Sequence, residues 1–79
     1  MTSNTEENYI KAIFSLSAKS ENSVVSTNKI AGLLDTSAAS VTDMIKRLSD
    51  KDLINYEKYK GVTLTKTGNK IAVRLVRKH

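Results

Sequence analysis

Apolar residues recur at helical spacing in four stretches of this 79-residue chain, and they alternate with polar ones in one short pair. In the first stretch Tyr9, Ile10, Ile13, Phe14 and Leu16 give a broad apolar face to a helix starting near Asn4 or Thr5. Glu6 and Glu7 then fall in its electropositive first turn. The helix is predicted to end before Ser20-Glu21-Asn22-Ser23, a polar loop rich in turn formers. Val24-Val25-Ser26 follows as a short β-prone segment.

Residues 27–48, TNKIAGLLDTSAASVTDMIKRL, carry the most information. Thr27 is expected to cap a helix whose apolar face is Ile30, Ala31, Leu33 and Leu34. Asp35-Thr36 makes a short break, with Asp35 where many such turns use Gly, because Asp tolerates a left-handed conformation. Ser37 then caps a second helix in which Val41, Met44, Ile45 and Leu48 share a face. Ala31 falls where two steeply crossed helices come closest, which calls for a small side chain. The second helix leaves Ala39, Ser40, Thr42, Asp43, Lys46 and Arg47 outside, a face that is small and polar at its start and basic at its end. Such a face suits insertion into a DNA major groove.

After a break at Lys51-Asp52, a strand is predicted over 53–58 and its partner over Val62-Thr63-Leu64-Thr65, with Tyr59-Lys60-Gly61 at the tip. Ile54 and Tyr56 share one face, and Val62 and Leu64 answer them. A lone two-stranded hairpin is marginal in water, so it must pack on the helices. Lys58 and Lys60 sit at its tip, where they can meet phosphates. Thr65 caps a last helix whose inner positions are Ile71, Ala72, Leu75 and Val76, with Lys70, Arg74, Arg77 and Lys78 outside. The order helix, short strand, helix, helix, strand, strand, helix describes a mainly α winged helix-turn-helix with a small β-hairpin.

Charge sharpens this picture. The net charge is +5, yet residues 1–22 sum to −1, residues 23–45 to −1, and residues 46–79 to +7. A basic half of a small domain points to a polyanion partner. There is no Cys and one His, which removes disulfides, thiolate metal sites and a multi-histidine cage. No clustered carboxylates and no phosphate-binding glycine loop are present, so an enzyme is not expected. The uncharged runs fall far short of the roughly 18 residues that span a membrane. Before its first acidic pair the amino terminus lacks the basic residues of a secretory signal. Together these predict one cytoplasmic DNA-binding domain over residues 1–79, with no membrane partner.

The chain resembles the amino-terminal domain of the diphtheria toxin repressor family of iron- and manganese-dependent transcriptional regulators. Three segments carry the resemblance: TEENYIKAIFSLS, VVSTNKIAGLLDTSAASVTDMIKRLSDKDLI and YEKYKGVTLTKTGNKIAVRLVRKH. The ending in two basic residues and His, after a wing and an LTxxG sequence, is far more specific than a lone helix-turn-helix. The resemblance implies a repressor that binds a palindromic double-stranded operator as a homodimer. It places DNA contacts at Ser37, Ala39, Ser40, Thr42, Asp43, Lys46, Arg47 and Lys60. Ser37 would hold a phosphate, the next four would meet bases, and the cations would meet the backbone.

It also implies a divalent transition metal, Fe2+ or Mn2+, in a full-length protein. His79 matches a family ligand. Asn8 and Lys11 stand at two further family ligand positions, but an amide carbonyl is a poor substitute and an ammonium repels a cation. The remaining family ligands lie beyond residue 79, so no cofactor is expected in this chain by itself. The expectation is a domain truncated before a dimerisation and metal-binding domain, rather than a naturally short reader. Two alternatives remain open from the residues: a DNA-binding regulator without metal control, and a winged-helix protein-interaction module.

Overall fold

The computed structural model describes residues 4–19, 24–57 and 60–77. Four helices, α1 (Asn4–Ala18), α2 (Thr27–Leu34), α3 (Ala38–Asp50) and α4 (Lys66–Val76), surround an antiparallel hairpin of β1 (Ile54–Glu57) and β2 (Gly61–Leu64). Ile54 pairs with Leu64 and Tyr56 with Val62. Val25 adds an isolated bridge to Val62, with reciprocal amide–carbonyl bonds of 2.9 and 2.8 Å. The predicted short strand is thus a single residue that ties the chain before α2 to the wing. Together these elements form a winged helix-turn-helix.

One core holds the helices and hairpin together. Ile10, Ile13, Val25, Ile30, Val41, Leu48, Ile54, Val62 and Ala72 are fully buried, with Tyr9, Met44, Ile45 and Leu53 nearly so. Each large aliphatic side chain buried this way contributes about 1.5–3 kcal/mol relative to exposure. α1 runs through the middle and packs on every other helix and on β2.

Local chemistry sets the element ends. Ser26, not Thr27, caps α2: its Oγ accepts the Lys29 amide at 3.1 Å, and Thr27 is already helical. Asp35 closes α2 in the left-handed region, at φ 53° and ψ 51°, as the turn requires. Ser37 caps α3 and Thr65 caps α4, each accepting an amide three residues on. At the end of α3 Asp52 takes φ 60°, its amide donates to the Ser49 carbonyl, and the Leu53 amide donates to Leu48. This is the double bond of a Schellman closure, with Asp where Gly is usual and with the Leu48–Leu53 apolar pair that accompanies it.

Two expected core residues face outward. Leu33 is 54% exposed because Ile30, Ala31 and Leu34 form the buried stripe of α2 and Leu33 stands to its side. Val76 is likewise exposed at the edge of the α4 stripe made by Ile71, Ala72 and Leu75. The strands are also shorter than predicted: Leu53 lies in the α3 closure and Thr65 in the α4 cap.

Candidate nucleic-acid interface

α3 presents the surface that the sequence marks out. Its four buried residues, Val41, Met44, Ile45 and Leu48, occupy one side, while Ala38, Ala39, Ser40, Thr42, Asp43, Lys46 and Arg47 are all exposed. At 100° per residue, Ala39, Asp43 and Lys46 stand opposite the core, Thr42 on one flank, and Ser40 with Arg47 on the other. No aromatic or long aliphatic side chain interrupts this face.

Several of these groups are already engaged. The Ser37 hydroxyl accepts the Ser40 amide at 3.2 Å and donates to Ser40 Oγ at 2.9 Å, so its proton is spent within the cap. What remains there for a phosphate oxygen is the outward-facing amides of the first turn, together with the Ser40 hydroxyl proton. Thr42 Oγ1 donates to the Ala38 carbonyl at 3.0 Å. Thr42 can therefore accept a hydrogen bond or offer its methyl group, but it cannot donate without leaving the helix backbone.

Charge on α3 is balanced. Asp43 and Arg47 lie one turn apart with carboxylate and guanidinium 3.9 Å from each other, both largely exposed. A pair this open is worth at most about 1 kcal/mol, so Arg47 can exchange Asp43 for a phosphate at little cost. Asp50 adds a second carboxylate at the far end of the helix, a feature sequence reasoning passed over.

The wing supplies Lys60, whose amide donates to the Glu57 carbonyl and whose Nζ lies 3.4 Å from the Glu57 carboxylate. Lys58 and Tyr59 lie outside the described residues, as does His79. Lys51, counted in the basic half, is committed elsewhere: its Nζ lies 2.6 Å from the carboxylate of buried Glu6. Lys66, Lys70 and Arg74 project from α4, which packs on α1 and β2. Much of the +7 therefore lies away from the α3 face, whose own cations are matched by Asp43 and Asp50.

The α1 positions considered for metal do not make a cation site. Asn8 is exposed and offers a neutral carbonyl, and Lys11 is a half-buried ammonium. Among the described residues no group of three or more His, Asp or Glu side chains converges, and no helix is long and apolar enough to cross a membrane.

Residues 1–62 match the family described as iron dependent repressor, N-terminal DNA binding domain. The HTH-type transcriptional regulator MntR of Bacillus subtilis (strain 168) is 38% identical over 79 residues, covering 100% of this chain and 54% of that protein. The structure of the manganese regulator SloR is similar with a TM-score of 0.75 at 38% identity, over 100% of this chain and 35% of that one. ScaR with bound Zn2+ gives a TM-score of 0.77 at 32% identity, over 94% of this chain and 33% of that one. The chain spans about half the length of the curated relatives it matches.

Proposed function

Since the chain belongs to the iron-dependent repressor family, through its N-terminal DNA-binding domain, we propose that it reads a palindromic operator as one half of a homodimer. The observation that carries this reading is the α3 face: capped by Ser37, exposed at Ala38, Ala39, Ser40, Thr42 and Asp43, and free of apolar anchors. An interaction helix would normally show aromatic or large apolar anchors on such a face. Ala39 and the Thr42 methyl suit a thymine methyl, the Ser40 hydroxyl can donate to a base acceptor, and Asp43 can accept from cytosine N4. Amides of the first turn behind Ser37, with Lys46, Arg47 and Lys60, take the phosphates that fix the helix in register. Two such helices in a dimer would meet half-sites about one helical turn, or ~34 Å, apart.

The regulated protein would act in the cytoplasm as a repressor. Its ion would be Fe2+ or Mn2+, in keeping with relatives described as a manganese regulator and as holding Zn2+. Asn8 and Lys11 do not fit a cation, so no step here runs through metal. No catalytic role is assigned.

Selection from a random duplex library tests the reading. Asp43→Ala should change the preferred operator by about 1–3 kcal/mol at one or two base pairs. Arg47→Ala should weaken specific and non-specific duplexes together, since a phosphate contact positions without reading. Unchanged selection by Asp43→Ala, with unchanged affinity for Arg47→Ala, would take α3 out of the groove and favour an acidic protein partner.

A further inference from the structure

Tyr56 stands out on this surface. Ile54 points into the core; Tyr56, two residues along the same side of β1, reaches the edge and is 48% exposed. Its hydroxyl has no partner among the described residues, so the fold does not account for it. Three depressions, of about 180, 170 and 60 Å3, all have Tyr56 in their walls. They run side by side from the wing to α3.

The three differ in charge. The depression toward the wing includes Glu57 beside Lys60, and the one toward the end of α3 includes Asp50 beside Lys46. The smallest is bounded by Thr27, Thr42, Ile45, Lys46 and Tyr56 and has no carboxylate. Because the Thr42 hydroxyl is turned back to Ala38, that residue offers carbon rather than oxygen to the dent. The result is an apolar notch with an ammonium and an unused phenol at its rim, continuous with the exposed flank of α3.

We propose that this notch seats one sugar–phosphate unit of duplex DNA. The Tyr56 ring and the threonine methyls lie against the deoxyribose, while Tyr56 Oη donates to a phosphate oxygen that also meets Lys46 Nζ. A sugar–phosphate unit matches an apolar floor beside a cationic, donating rim, which neither a base edge alone nor a free anion does. Tyr56 is then a positioning contact between α3 and the wing, and it carries no sequence information. The inference rests on the DNA-reading proposal and adds the residue that joins its two parts.

Duplex titrations over a range of salt concentrations with wild type, Tyr56→Phe and Lys46→Ala test it. Tyr56→Phe should weaken every duplex alike by about tenfold, as expected for a donor lost from a charged acceptor. Its slope of log affinity against log salt should match wild type, because a neutral donor displaces no counterion. Lys46→Ala should flatten that slope by about 0.9. The thermal midpoint of Tyr56→Phe should not move. Wild-type affinity in Tyr56→Phe overturns the seat alone, as does a loss confined to one sequence, which would mean a base contact. A lowered thermal midpoint assigns the hydroxyl to the fold and also overturns it. Absence of wild-type binding at low salt overturns the DNA reading and the seat together.

Discussion

Gly68 admits no side chain, and the reason lies fifteen residues earlier in the chain. A Cβ there would overlap the Leu53 carbonyl oxygen. That oxygen accepts the Thr65 amide, and Thr65 Oγ1 in turn donates to the Asp52 carbonyl at 2.7 Å while accepting the Gly68 amide at 3.0 Å. The Thr-x-x-Gly sequence is therefore a clamp that holds the start of α4 on the junction between α3 and β1. Gly68→Ala should destabilise by about 2–3 kcal/mol, which lowers the midpoint by about 10–20 °C in a domain this small. Gly32 provides the opposite sign. Nothing lies within 4 Å of a Cβ at that exposed helical position, so Gly32→Ala should stabilise by up to about 1 kcal/mol. Thermal unfolding of the two variants checks both. If they behave alike, the clamp is not what Gly68 serves. The Thr65 cap was legible in the sequence because capping is local. The carbonyl that excludes a side chain at Gly68 was not, since only the folded chain brings Leu53 there.

At the scale of elements, hydrophobic spacing located all four helices and the hairpin pairing, and it failed where two elements share a boundary. Ser26 and Thr27 are chemically equivalent caps, and the choice falls on Ser26 because Val25, one residue before, is bridged to Val62. Leu33 fits a helical period equally well, but the short α2 buries a stripe through Ala31, leaving Leu33 outside. The Schellman closure of α3 was hidden because Asp52 occupies the place of Gly. Glu6 lies in the first turn of α1 as the sequence indicated, and it is also buried and bonded to Lys51, linking the start of α1 to the end of α3. Losing one member of a fully buried pair costs several kcal/mol. Lys51 is about half exposed, so solvent screening reduces this, and Lys51→Met should cost about 1–2 kcal/mol. A double-mutant cycle with Glu6→Gln, read by denaturant midpoints, measures the coupling. Additive effects would show that the two helices are joined by apolar packing alone.

Across the whole molecule, charge and the exposed α3 face do not coincide, which the sequence could not reveal. Its +7 block begins at Lys46 and runs to the end of the chain, but the fold sends it to different places. Lys46 stays on the α3 face and Lys60 on the wing, Lys51 turns to Glu6, and Lys70 and Arg74 leave on α4. Both helices touch α1, but α4 packs further on β2 while α3 packs on α2 and β1. DNA docked along α3 and the wing should therefore release counterions at Lys46, Arg47 and Lys60 and hardly at all at α4. Lys60→Ala should flatten the slope of log affinity against log salt by about 0.9 and weaken all sequences equally. Neutralising Lys70 and Arg74 together as Gln should lower affinity slightly at low salt, through the summed field, and leave the slope within about 0.3 of wild type. Parallel titrations at several salt concentrations separate the two cases. A slope lost in the α4 variant rather than the wing variant would mean that the duplex runs across α4. In that case the exposed face of α3 would be turned away from the nucleic acid.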